Sequence, residues 1–194
     1  MRLTRRDLTA TAMAIALLAG TLGSTPALAQ ARKTGVVLGM VLEPPGLDPT
    51  MAPAAAIGEI VHYNILEGLT KIEVDGRVTP LLATGWTSDP DGRSYTFRLR
   101  KGVKFQDGTA FDSTAVKWTF ERAEADGSTN KAKRAVFDNI SSIATPDAHT
   151  VILTLNNADA TLPFRLGENT AVILSRTSAA TTATKPVGTG PYRY

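Results

Sequence analysis

The sequence predicts an α/β fold, a mixed sheet with antiparallel hairpins and short helices. Three observations carry that expectation. Ser94 to Arg100 alternates, with Tyr95, Phe97 and Leu99 on one side and Thr96, Arg98 and Arg100 on the other, the period of a half-buried antiparallel strand. Turn-forming clusters punctuate the chain at Asp75-Gly76, Asp89-Pro90-Asp91-Gly92 and Pro146-Asp147-Ala148. Between the second and third, Val116, Phe120 and Ala123 form the apolar stripe of a helix that Asp112 is suited to cap.

Composition bounds what such a fold does. The chain has 194 residues, 43% hydrophobic and 20% charged, which is a globular balance sufficient for one domain or slightly more. There is no cysteine, which excludes disulfides, thiolate metal sites, a cysteine nucleophile and a lipid-modified N-terminal cysteine. The formal net charge is +3, of which +2 falls in residues 1–29, leaving a body near neutrality. That body gives no electrostatic reason to expect nucleic-acid or membrane binding.

Residues 1–29 read as an export signal. Arg2, Arg5 and Arg6 precede a weakly apolar stretch from Ala10 to Ala19, and Ala27 and Ala29 supply the small residues a signal peptidase needs. The apolar stretch is about half the roughly 20 residues a membrane span requires. Thr4-Arg5-Arg6-Asp7-Leu8 resembles a twin-arginine signal, and an ordinary secretory signal containing Arg-Arg fits the same residues. With no cysteine to lipidate, the expectation is an exported protein without a lipid anchor, held in a periplasm.

Elements then follow in order. Gly35 to Leu42 is a short valine-rich run and reads as a buried strand. Glu43-Pro44-Pro45-Gly46-Leu47-Asp48-Pro49 breaks it, because proline removes backbone donors, and reads as an ordered loop. Ile57, Ile60, Val61 and Ile65 fall at helical spacing, with Gly68 placed to end the helix. Leu69–Val74 and Arg77–Thr79 form one hairpin, and Trp86–Ser88 with Ser94–Arg100 a second. Lys101-Gly102 and Asp107-Gly108 mark turns before the helix capped by Asp112, which gives way to the polar loop 126–130. Ile140–Ala144 and Thr150–Leu155 make a last hairpin, Thr161–Leu166 a short helix and Ala171–Leu174 a short strand. Thr177–Thr184 reads as a loop or linker, and residues 190–194 as the entry to another strand.

Leu47-Asp48-Pro49, Glu67-Gly68-Leu69, Pro80-Leu81-Leu82-Ala83 with Trp86, the block Ser94 to Gly108, the helix Ala115 to Arg122 and Val187-Gly188-Thr189-Gly190-Pro191-Tyr192 occur in that order. Together they resemble the family 5 solute-binding proteins of ABC importers, the peptide- and nickel-binding type, over roughly residues 36–194. Two departures are Ala115 before Val116 and Thr84-Gly85 before Trp86, where acidic residues are usual in the family. The resemblance implies an N-terminal fragment: the first-lobe portion of a two-lobed periplasmic-binding-protein fold. On that map residues 30–55 begin the ligand-facing subdomain of lobe one, 56–185 form its smaller second subdomain, and 186–194 return to the first. It further implies capture of a peptide-like solute, delivery to a permease and ATPase at the inner membrane, and a monomer.

Glu43, Pro44 and Pro45 are the candidate ligand-binding residues. They follow an expected strand end, where α/β proteins place ligands, and in similar proteins this loop borders the cleft. Gly188-Thr189-Gly190 is not a phosphate loop, because Pro191-Tyr192 stands where lysine and a hydroxyl residue are needed; it reads as a tight crossing. His62 and His149 show no metal-ligand spacing, so no metal and no cofactor are expected. Trp86, Trp118, Phe97 and Phe120 read as core, and Arg98, Arg100, Lys101 and Lys104 as a solvated strand face. No nucleophile–base arrangement or paired-carboxylate motif is recognisable, so an enzyme is not expected. The alternatives are an exported enzyme on a related scaffold or a non-functional truncated product.

Overall fold

The computed structural model describes residues 35–52 and 54–194; the export-signal reading therefore lies outside the described residues. Residues 35–39 fall in a unit separate from residues 40–194 and have no regular structure.

The larger unit is built on a four-stranded antiparallel sheet. Its strands are β3 (Ala83–Ser88), β4 (Ser94–Leu99), β5 (Ile140–Asp147) and β6 (Thr150–Leu155), in the spatial order β3-β4-β6-β5. A smaller hairpin pairs β1 (Thr70–Ile72) with β2 (Val78–Pro80). Three helices accompany them: α1 (Ala55–Val61), α2 (Ser113–Glu124) and α3 (Leu162–Arg165). The expected α/β mixture of hairpins and short helices is present, and every strand pair in the two sheets is antiparallel.

Local chemistry explains most of these elements. Gly76 and Gly92 take φ of 84° and 69° at the two hairpin turns, a region open to glycine at no steric cost. Asp89 Oδ1 accepts the N–H groups of Arg93 and Ser94, closing the second turn. Tyr95, Phe97 and Leu99 are buried, and Tyr95 and Phe97 meet Leu153 and Val151 across the β4–β6 register. Asp112 caps α2 by accepting the N–H groups of Thr114 and Ala115 at 2.9 and 3.1 Å. Val116, Phe120 and Ala123 then turn inward, with Phe120 against Phe137.

The apolar interior forms two clusters. The larger lies between the four-stranded sheet and α2, centred on Phe97, Phe120, Val151 and Leu153, and Trp86 packs on its margin. The smaller gathers Ile57, Val61, Ile65, Leu66, Val172 and Leu174, with Leu47, Ala52 and Trp118 against it.

Five expectations need correction. Gly35–Leu42 is not a buried strand: it has no strand geometry, and Val37 and Val41 are each 98% exposed. Its valines record a preference for burial, but a strand also needs a neighbour to receive its N–H and C=O groups, and no described residue does so. Helix α1 stops at Val61 instead of running to Gly68, because Tyr63 adopts φ 60° and the chain folds back through a bridge between His62 and Leu66. Strand β5 continues through Pro146 to Asp147, which an edge strand with an irregular register between Ala144 and Asp147 tolerates. Ala171–Leu174 is not a strand: a single turn of 3₁₀ helix ends at Ala171, and only Ile173 makes a bridge, to Glu67. Residues 190–194 likewise hold no strand.

Candidate functional site

The candidate loop has a bare tip on a fixed base. Glu43 and Pro45 are exposed and Pro44 is half-buried, whereas Asp48, Pro49 and Thr50 are buried. Among the described residues Glu43 enters no ion pair. The base is held from several directions. The Leu47 N–H donates to the Ala183 carbonyl at 2.8 Å, and the Leu47 side chain packs on the smaller apolar cluster. Asp48 Oδ1 accepts the N–H and hydroxyl of Thr50 at 2.9 and 2.7 Å. Asp48 Oδ2 receives Arg122 of α2 at 2.6 Å, and the same guanidinium donates to the Thr50 hydroxyl. Beyond the turn, Ser128 and Thr129 donate to the sulfur and carbonyl of Met51.

Arg122 reaches the loop because α2 aims it there. It stands one turn after Trp118, and residues four apart share a helix face. Trp118 lies on the smaller cluster and carries the Arg176 guanidinium 5.8 Å from its ring centroid. That face of α2 thus points at the loop, while Lys117 and Glu121 pair with each other on the exposed side.

A second node fixes the Val187–Tyr192 segment. The Gly190 N–H donates to Ile65 and the Tyr192 N–H to Asn64, at 3.0 and 2.9 Å. A Cβ at Gly188 would stand 2.0 Å from the Ile65 carbonyl oxygen, and one at Gly190 2.5 Å from that of Asn64. Only a residue without a side chain permits backbones to pass this closely. The Gln106 amide spans the segment, donating to the carbonyls of Gly190 and Tyr192 and accepting the Gly188 N–H. Thr189 donates to Glu67 at 2.7 Å. The expected tight crossing is what the chain forms here.

Asp107 ties the turn that follows Gln106 to the 175–177 stretch. Its oxygens accept the N–H and hydroxyl of Thr109 and the hydroxyls of Ser175 and Thr177. Partial burial works against its charge, but these hydroxyl donors win and hold the carboxyl well below the usual aspartate range. A crevice of about 140 Å³ lies beside it, lined by Phe105, Asp112, Ser175 and Arg176 among others. A larger, open concavity of about 680 Å³ lies apart from the loop, between Arg98 and Lys101 on one side and Asp147 and His149 on the other. Arg98, Arg100, Lys101 and Lys104 are exposed, as expected of a solvated face. Among the described residues no group of histidine and carboxylate side chains is arranged to hold a metal ion.

Sequence reasoning singled out Glu43-Pro44-Pro45 and Gly188-Thr189-Gly190 but missed Asp48, Thr50, Arg122 and Gln106. Leu47-Asp48-Pro49 and the Arg122 helix each carried part of the resemblance, yet nothing in either segment signals that they meet.

Residues 77–194 match the sequence model of the bacterial extracellular solute-binding proteins, family 5, middle region. The chain belongs to this family. Among curated relatives, di/tripeptide-binding protein 1 of Pseudomonas aeruginosa is 34% identical over 175 residues, covering 77% of this chain and 33% of its own. The glutathione-binding protein GsiB of Salmonella paratyphi A is 33% identical over 184 residues, covering 91% of this chain and 34% of its own. The chain thus spans about a third of the length of the family members it matches. The structure of the PBP AgaA of A. tumefaciens in complex with agropinic acid superposes with TM-score 0.71 at 33% identity, over 78% of this chain and 31% of that one. A dipeptide-binding protein of a Pseudoalteromonas species, in complex with Met-Leu, gives TM-score 0.68 at 29% identity, over 78% and 35%. The structural neighbours are two-lobed binding proteins, and this family 5 chain has the fold of about a third of each.

Proposed function

We propose that the protein is the solute-capturing component of an ABC importer, working in the periplasm on peptide-like solutes. The observation that carries this is the match of residues 77–194 to a family of solute-binding proteins. Relatives named for di/tripeptides and for glutathione align over most of the chain and support a solute with a peptide backbone. On this reading Glu43, Pro44 and Pro45 border the solute: they are presented to solvent at the end of a fixed base. Residues 56–185 form a subdomain that leaves the ligand-facing part and returns to it at 186–194. The solute is held by lobe closure and handed on chemically unchanged to a permease driven by an ATPase. The protein acts as a monomer without metal or cofactor.

The test is calorimetric titration of the protein, purified from the periplasm of its host, with glutathione, Met-Leu and agropinic acid. Saturable binding of a peptide, with the peptide recovered intact, is the expected result. Replacing Glu43-Pro44-Pro45 by glycines should weaken that binding about tenfold or more, by loss of both contact and preorganisation. Binding of agropinic acid alone would overturn the peptide assignment, and recovery of a cleaved peptide would overturn the non-enzymatic one.

A further inference from the structure

We infer that Arg122 is the positioning residue of the Glu43-Pro44-Pro45 loop. From α2 its guanidinium grips both Asp48 and Thr50 and thereby sets the course on which the loop leaves its base. The bearing of this grip on solute rests on the reading of that loop given above, whereas the grip itself does not.

Three features point to positioning. Asp48 is 4% exposed, and a buried ion pair is a poor device for stability, because desolvating two charges offsets their attraction. What such a pair supplies is geometry, and the planar guanidinium fork supplies it better than an ammonium would. The turn also has little of its own to hold it. Pro49 has no N–H, and among the described residues the backbone contributes only the donors of Met51 and Ala52 to the Asp48 carbonyl, at 3.4 and 3.1 Å. Arg122 and the Asp48–Thr50 hydrogen bonds provide the remainder. Finally, Pro44 and Pro45 restrict φ at two successive positions and the conformation of the residue before each. Only Gly46 and Leu47 lie between that stiffened pair and Asp48, and Leu47 is itself held by Ala183, so the arm from Asp48 to Glu43 is short. The other anchors, Ala183 on Leu47 and Thr129 on Met51, flank this turn, and neither reaches the Asp48 carboxylate.

The test is amide hydrogen exchange on the protein purified from its host, without added solute, for the wild type and Arg122→Met, Arg122→Lys, Thr50→Val and Thr50→Ser. In Arg122→Met and Thr50→Val the amides of Leu47, Thr50 and Ala52 should exchange about tenfold or more faster, with those of β4 and β6 unchanged. Thr50→Ser keeps the hydroxyl and should restore wild-type exchange. Arg122→Lys should restore only part, since one ammonium does not reproduce the two-pronged contact. Acceleration spread equally through β4 and β6 would reduce Arg122 to a general stabiliser and overturn the inference, as would unchanged loop amides. If Arg122→Met fails to fold, Arg122→Lys decides: exchange at these amides faster than wild type supports the inference, and wild-type exchange overturns it. No solute is present, so failure of the titration above would remove the loop's role in binding and leave this result standing.

Discussion

The His62 imidazole stacks on Tyr63 with ring centroids 3.7 Å apart, and its buried Nε2 has no hydrogen-bond partner among the described residues. Burial pushes its pKa down to about 4, against a smaller opposing contribution from the Gly167 backbone. The ordinary value of 6.5 applies when the chain unfolds. Between those values the unfolded state binds a proton that the folded state refuses, so stability present above pH 6.5 declines as pH falls toward about 4. Asp75, Asp107 and Asp147 are held below the ordinary aspartate value, so what they contribute is lost only at lower pH. The melting temperature should thus drop between pH 7 and pH 5, and His62→Phe should flatten that drop; an equally steep profile in the variant would refute the assignment. At this scale the sequence is informative about side chains that act on their own backbone. Asp112 as a cap and Asp89 in its turn were legible because each partner lies within a few residues. Arg122 with Asp48 was not, because the pair exists only once α2 has packed beside the loop.

Single elements divide the same way. The β3–β4 hairpin and α2 were readable from alternation and stripe because each has one wet face and one dry face, and the core lies on the dry one. Gly35–Leu42 was misread because continuous apolar content specifies burial on both faces without naming a neighbour. The end of α1 was misplaced because the apolar spacing continues to Ile65 after Tyr63 has left helical geometry. The 188–190 crossing gives the sharpest test of an element. Gly188→Ala drives a Cβ into the Ile65 carbonyl and should cost about 3 kcal/mol or more, read as a lowered denaturation midpoint. Gly85→Ala, in β3 with open space around it, should change stability by less than about 1 kcal/mol. Equal effects would mean that residues 64–65 yield to the added methyl group.

For the whole molecule, the core between the sheet and α2 makes the residue-40 to residue-194 unit cohere. Phe97 is fully buried at its centre, with Tyr95 and Trp86 as aromatic neighbours. Phe97→Ala should therefore lower stability by about 3–5 kcal/mol, with the denaturant slope unchanged if the unit unfolds as one. A biphasic transition would instead show that the two apolar clusters melt separately. The family was legible here because turns, strand alternation and the glycine crossing recur in a fixed order. A ligand was not, because a binding site is made of groups brought together from distant parts of a chain, and no ordered series of motifs names them.

The bond between Leu47 and Ala183 has a topological consequence. It closes a long loop of the polypeptide, bringing two residues far apart in sequence to within one hydrogen bond. The bonds of Gly190 to Ile65 and of Thr189 to Glu67 cross the same boundary, so the enclosed stretch is stitched to the chain that follows it at more than one place. Insertions and deletions among homologous proteins should accordingly fall in the exposed turns of that loop, where they leave these stitches in place.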